Sequence, residues 1–118
     1  MKEKLKKHSE CEILKHYSID EIDGKIIFNF VDDKVVKSVL NAYIKNLGHG
    51  LINYVNMFLP EAVILSGAIS QQEEHLIKPL EKYVNKHIFF RKAGVKVKVL
   101  SSMLHKDTGL IGAKLLLE

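Results

Sequence analysis

Apolar residues recur along this chain with two different periods, and the change of period outlines its elements. Val35, Val36, Val39, Leu40, Tyr43, Ile44, Leu47, Leu51, Ile52, Val55 and Phe58 follow one another at steps of three and four. That spacing predicts one long helix of about six to seven turns. Asp32 or Asp33 is placed to cap its start. Pro60 stops it, because the residue before a proline is disfavoured in the α region. Val95, Val97 and Val99 alternate instead with Lys96 and Lys98, the period of a strand with one wet face, as at a sheet edge. Between these lies Val63-Ile64-Leu65, an apolar triplet that predicts a strand buried on both faces. Small residues follow it, Ser66-Gly67-Ala68, and read as a tight turn. Ser70 and Glu73 have the spacing of a capping box. Leu76, Ile77, Leu80, Tyr83, Val84 and His87 then mark a second helix, in which Pro79 predicts a kink or a break. Asp107-Thr108 is set to cap a last helix carrying Leu110, Ile111, Ala113, Leu115 and Leu116.

The first third of the chain is less decided. Leu5, Ile13, Leu14 and Tyr17 among lysines predict a weakly amphipathic helix over 2–16. Asp23-Gly24 is a turn signal. Ile26 to Val31 reads as a short strand by its β-branched and aromatic content, or equally as the end of a helix begun at Asp20. The order is therefore helix, undecided segment, long helix, strand, helix, strand, helix. A strand–helix–strand run favours a parallel βαβ unit with a right-handed crossover, and the class is α/β. Gly48 and Gly50 sit inside the long helix, where each costs about 1 kcal/mol relative to alanine. Something must offset that: close approach of another backbone or a ligand, or plain packing against a helix or sheet.

Composition narrows the classes. With 118 residues and 47% hydrophobic content the chain fits one domain and is not disordered. One cysteine excludes a disulfide framework and a Cys-based zinc cluster made by this chain alone. No apolar run exceeds a few residues, so no membrane span is expected. The lysine-rich start has no apolar segment behind it and is not a secretory signal, which leaves a cytoplasmic protein as the expectation. The net charge is +4, and all the positive residues but Arg91 are lysines dispersed along the chain. Dispersed lysines mark solvated faces and make poor base readers, so nucleic acid is not an expected partner of this segment.

Candidate chemistry is sparse. No two of His8, His16, His49, His75, His87 and His105 have the i, i+4 spacing of a helical metal site, and no metal site is expected. Cys11 lacks a local partner, and Glu73 and Glu74 read as capping and solvated residues, so no catalytic residue is assigned. The most pointed feature is Ser66-Gly67-Ala68. A strand ending in small residues exposes main-chain N–H groups at its C-terminal end, where open α/β sheets bind ligands and helix starts attract anions. The alternative is a plain connection.

Three stretches, taken in order, carry a family resemblance. Leu47-Gly48-His49-Gly50-Leu51-Ile52-Asn53 through Phe58 is similar to a long helix of LGxGLxNxxN form. Leu59-Pro60-Glu61-Ala62-Val63-Ile64-Leu65-Ser66-Gly67-Ala68-Ile69-Ser70 resembles an NPExIVLGGGVS strand and turn. Asp107-Thr108-Gly109-Leu110-Ile111-Gly112-Ala113 resembles a closing DAGLIGAA segment. From about Leu40 to Leu116 the chain thus resembles the C-terminal part of ROK proteins (repressor, ORF, kinase), which are bacterial sugar kinases and sugar-responsive regulators.

That resemblance implies an actin/hexokinase-type architecture. Residues 32–118 would form part of a ribonuclease-H-like lobe, with a long helix, a βαβ unit and a C-terminal helix, and residues 1–31 would precede it. It implies ATP with magnesium as cofactor of the parent protein. The adenosine contact carries over to Ser66, Gly67 and Ala68, with Gly48 and Gly50 near the same pocket. The chain departs from the family in having Ser66 and Ala68 where many members have glycine. It also lacks the DxGxT phosphate loop, the catalytic base with the sugar contacts, and the Cys/His zinc motif. The resemblance therefore implies a C-terminal fragment of an ATP-dependent sugar kinase, inactive alone. Alternatives are the effector or dimerisation lobe of a ROK regulator, or a small non-catalytic interaction domain. The expected partners are the remaining N-terminal lobe and, through a face that lobe would leave bare, a second copy of the chain.

Overall fold

Asp33 sets the frame of the molecule, because its carboxylate starts the longest element. In a computed structural model describing residues 12–18, 20–67 and 69–117, helix α3 runs Lys34–Phe58. Asp33 accepts hydrogen bonds from the N–H groups of Val35 at 2.7 Å and Val36 at 3.2 Å, a cap that contributes about 1 kcal/mol. Of the two candidate aspartates it is therefore Asp33 that caps. The helix ends at Leu59, in the left-handed region at φ 45°, just before Pro60. The other helices are α1 (Glu12–His16), α2 (Gly24–Asn29), α4 (Lys78–His87) and α5 (Thr108–Leu115), and the strands are β1 (Ala62–Leu65) and β2 (Lys98–Ser101). Most of the helix expected over 2–16 lies outside the described residues, as does Ala68.

The undecided segment is a helix, so the strand reading of Ile26 to Val31 is overturned. Asp23 is a helix cap rather than a turn residue: its carboxylate accepts from Ile26 N at 2.9 Å. The helix begins at Gly24, not Asp20. Ile27 and Phe28 then enter the core beside Ile13 and Ile22. Strand preference gives way because it measures fit to a sheet surface, and the described residues offer this segment no strand to pair with.

β1 and β2 pair in parallel, with Ala62 opposite Lys98, Val63 opposite Val99, Ile64 opposite Leu100 and Leu65 opposite Ser101. α4 lies between them in sequence, which makes the expected βαβ unit and a mixed α/β fold. β2 behaves as its alternation predicts: Val97 and Val99 are buried while Lys96, Lys98 and Leu100 are exposed. β1 corrects the expectation of burial on both faces. Val63 and Leu65 are half-buried, but Ile64 is 65% exposed.

The capping box at Ser70 and Glu73 does not form. Ser70 lies in a 3-10 turn (Ile69–Gln71) and its hydroxyl donates to Gly67 O at 2.7 Å. The helical run beyond it starts with π geometry over Glu73–Ile77, with no side-chain cap. α4 follows directly, with Pro79 in its first turn, where helices tolerate a proline. Pro79 thus marks the break. Asp107 likewise makes no side-chain cap for α5. Thr108 instead donates to His105 O at 2.8 Å.

α3 and α4 cross at Gly48. A Cβ there would stand 2.5 Å from Tyr83 Cδ1, whereas at Gly50 it would meet nothing within 4 Å. The offset expected at Gly48 is thus a side chain of α4, in helix-on-helix packing. Leu80 and Val84 of α4 and Val36, Val39, Leu51 and Val55 of α3 join one core with Val97 and Val99.

Opposite effects are expected at the two glycines. Gly48→Ala should destabilise by about 1–3 kcal/mol, since overpacking displaces the ring, and Tyr83→Ala in the same chain should remove most of that loss. Gly50→Ala should stabilise by up to about 1 kcal/mol. Urea denaturation of the variants checks both signs.

Candidate functional site

The C-terminal ends of the two parallel strands meet at one rim. Leu65 O accepts from Ser102 N at 2.7 Å, which holds the chain leaving β2 against the chain leaving β1. Gly67 takes φ +110°, a conformation that L side chains rarely adopt. Its missing Cβ faces open space, with no atom within 4 Å. The buried Ser70 hydroxyl pins the turn by donating to Gly67 O. Ser66 is exposed beside it. On the β2 side the buried Ser102 hydroxyl lies 2.8 Å from Thr108 Oγ1 and accepts from Leu104 N at 3.2 Å. His105, next in this loop, is left-handed at φ 49°. The rim presents main chain and hydroxyls, which can hydrogen-bond a flat polar group seated against them.

The five residues marked by the sequence do not all gather here. Ser66 and Gly67 stand at the rim, and Ala68 lies outside the described residues. Gly48 is buried under Tyr83, and Gly50 is exposed. Two positions apart on a helix, they face directions about 200° apart.

Other polar clusters were not foreseen. Tyr83 Oη and His49 Nε2 are 2.9 Å apart, and the rings of Tyr83 and His87 lie 4.3 Å apart, tilted by 34°. His87 Nδ1 lies 2.8 Å from Tyr83 O, so that nitrogen carries the proton and donates it. Asn85 donates from Nδ2 to Val97 O at 2.8 Å and accepts from Val97 N at 2.8 Å. Glu81 Oε2 accepts from Val99 N at 2.8 Å. The signal for this clamp was the i, i+4 spacing of Glu81 and Asn85 beside the apolar stripe of α4. A cavity of about 160 Å³ opens between α3 and the π turn, rimmed by Lys37, Asn41, Glu74 and His75. Its Glu74 is engaged by Lys78, and that hydrogen bond raises the Lys78 pKa. Hydrogen bonds from the Ser18 N–H and hydroxyl lower the Glu21 pKa. Neither group lies at the rim. Among the described residues no group of three His, Cys, Asp or Glu is placed to hold a metal ion. No helix of the described residues is long and apolar enough to cross a membrane.

The ROK family model matches residues 4–118. The chain belongs to the ROK family. A glucokinase of Thermotoga maritima is 30% identical to it over 98 residues, which is 81% of this chain and 31% of that enzyme. A β-glucoside kinase of Klebsiella pneumoniae is 29% identical over 98 residues, covering 80% of this chain and 30% of the kinase. A glucokinase of Halalkalibacterium halodurans is 25% identical over 114 residues, 93% of this chain and 34% of its own. This ROK chain therefore spans about a third of the length of the curated relatives it matches. In fold it is similar to a Cytophaga hutchinsonii protein provisionally described as a sugar kinase. The TM-score is 0.72 at 21% identity, over 98% of this chain and 40% of the other.

Asn85→Ala should lower stability by about 1–3 kcal/mol, because it leaves both main-chain groups of Val97 without partners. Asn85→Gln should not restore it, since the longer arm misplaces both bonds. Chemical denaturation midpoints compare the three proteins.

Proposed function

We propose that this chain is the adenosine-side lobe of a longer ATP-dependent sugar kinase and transfers no phosphate on its own. The observation that carries the reading is Gly67, at the end of a parallel strand with φ +110° and open space where a side chain would stand. A base or ribose can lie against bare main chain there, so the rim fits a nucleoside. Ser66 and Gly67 would hold the adenosine part of ATP, with Gly50 on the open side of α3; Ala68, the third residue of that reading, lies outside the described residues. Bound with magnesium, ATP supplies the phosphoryl group for a sugar hydroxyl. Phosphoryl transfer also needs a phosphate cradle, a positioned metal and a base. This sequence has no DxGxT loop, so those parts belong to the rest of the protein.

In this reading the parallel pair and its helices form part of a ribonuclease-H-like lobe of actin/hexokinase type, with the sugar bound across a cleft from it. Relatives named glucokinase and β-glucoside kinase support a hexose or hexoside as acceptor. The effector lobe of a sugar-responsive regulator is favoured only by the Cβ atoms of Ser66 and Ala68, and it expects no nucleotide affinity.

Titration calorimetry of the chain with ADP should show weak, saturable binding. Gly67→Val should abolish it, by filling the space and straining the turn. A flat titration of the unaltered chain overturns the kinase reading.

A further inference from the structure

The cavity between α3 and the π turn shares no residue with the rim. Its floor is apolar, built from Val31, Leu40, Ile44 and Pro79, with Leu40 and Ile44 buried. Four polar side chains line the rest: Lys37 and Asn41 on α3, Glu74 and His75 on the π turn. Lys37 and Asn41 stand one helical turn apart and so share a face of α3.

The wall opposite α3 exists because the chain leaves α geometry there. Ile77 N donates to Gln72 O at 3.2 Å and Lys78 N to Glu73 O, each five residues back. Residues five apart in an α-helix sit about 140° apart around the axis. The wider turn instead brings Glu74 and Pro79 into one wall. Pro79 has no N–H to return to His75 O, four residues back, so α bonding is interrupted at that point. Single π turns are rare and recur at functional sites.

The charges around the cavity do not cancel. Glu74 is engaged by Lys78, and among the described residues Lys37 has no ion-pair partner. Asp33, one turn before Lys37, accepts from the N–H groups of Val35, Val36 and Glu12. One uncompensated ammonium, an amide and an imidazole therefore surround an apolar floor.

We propose that this cavity binds a small organic monocarboxylate, its carboxylate at Lys37, Asn41 and His75 and its apolar body on Leu40, Ile44 and Pro79. Volume sets the size of the body. A cavity of about 150 Å³ accepts one benzene ring, whereas most ligand pockets measure about 300–1,000 Å³. At about 160 Å³ this one takes a single ring or a short branched chain and is too small for a nucleotide. Charge sets the head group. A phosphate monoester carries about 1.5 to 2 negative charges and would set them against one ammonium and the Glu74 carboxylate. A carboxylate carries one.

Benzoate is the probe, added to the full chain and followed by ¹H–¹⁵N NMR. It should shift the amides of Lys37, Asn41, Glu74 and His75 saturably. Benzamide, of the same shape without the charge, should bind at least about 3-fold more weakly. Lys37→Glu reverses the charge and should remove the shifts. Asn41→Phe fills the mouth from an exposed position and should remove them with Lys37 retained. No saturable shift at tens of millimolar benzoate overturns the proposal, as does equal binding of benzamide or unchanged binding by Lys37→Glu. Where Lys37→Glu does not fold, Asn41→Phe decides, and shifts that persist in it overturn the site. Excess ADP separates the cavity from the rim: benzoate shifts that survive it support an independent site, and displacement overturns one. Benzoate should bind even where ADP gives a flat titration, so failure of the kinase reading leaves this site standing.

Discussion

The contact on which the arrangement depends is the Tyr83 ring lying on Gly48. Only a residue without a Cβ lets α4 come this close to α3. With the ring seated there, Leu80 and Val84 reach the buried stripe of the long helix, and the opposite flank of α4 brings Glu81 and Asn85 to the second strand. One small residue in α3 thereby fixes where β2 runs, and through the ladder where β1 ends. The hydroxyl of Tyr83 reaches on to His49 and its ring to His87, so the same side chain joins the two helices in polar as well as apolar terms.

The legible parts of the fold were those governed by period. The long helix, the alternating strand and the parallel βαβ order follow from spacing alone, and the ROK motifs were readable because short stretches occur in a fixed sequence. The illegible parts turned on competition for single groups. Ile26 to Val31 has the composition of a strand, yet Asp23 offered a cap and the core offered a place for Ile27 and Phe28. Ser70 had capping spacing, but the Gly67 carbonyl engaged its hydroxyl first. Glu81 and Asn85 have the i, i+4 spacing of one helix face, which does not tell what that face meets. Only the position of β2 gives them partners, and that position is a tertiary fact.

At the candidate site the sequence identified the turn but not its supports. Gly67 was legible because a glycine between small residues after an apolar strand has few uses. Its anchoring by Ser70, and the hydroxyl pair of Ser102 and Thr108 across the rim, depend on chain segments meeting in space. The pairing of Gly48 with Gly50 went the other way. Close in sequence, they diverge on the helix surface, one absorbed by packing and one left open.

The amide of Asn85 carries one donor and one acceptor in the same relation as a peptide group, so α4 imitates a neighbouring strand without being one. A sheet finished in this way on one flank cannot propagate as a ribbon. Among the described residues the other flank is the one open edge, so two molecules meeting there through main-chain pairing would halt growth at the pair. The helix that completes the βαβ unit thus also limits how far backbone-mediated aggregation can proceed.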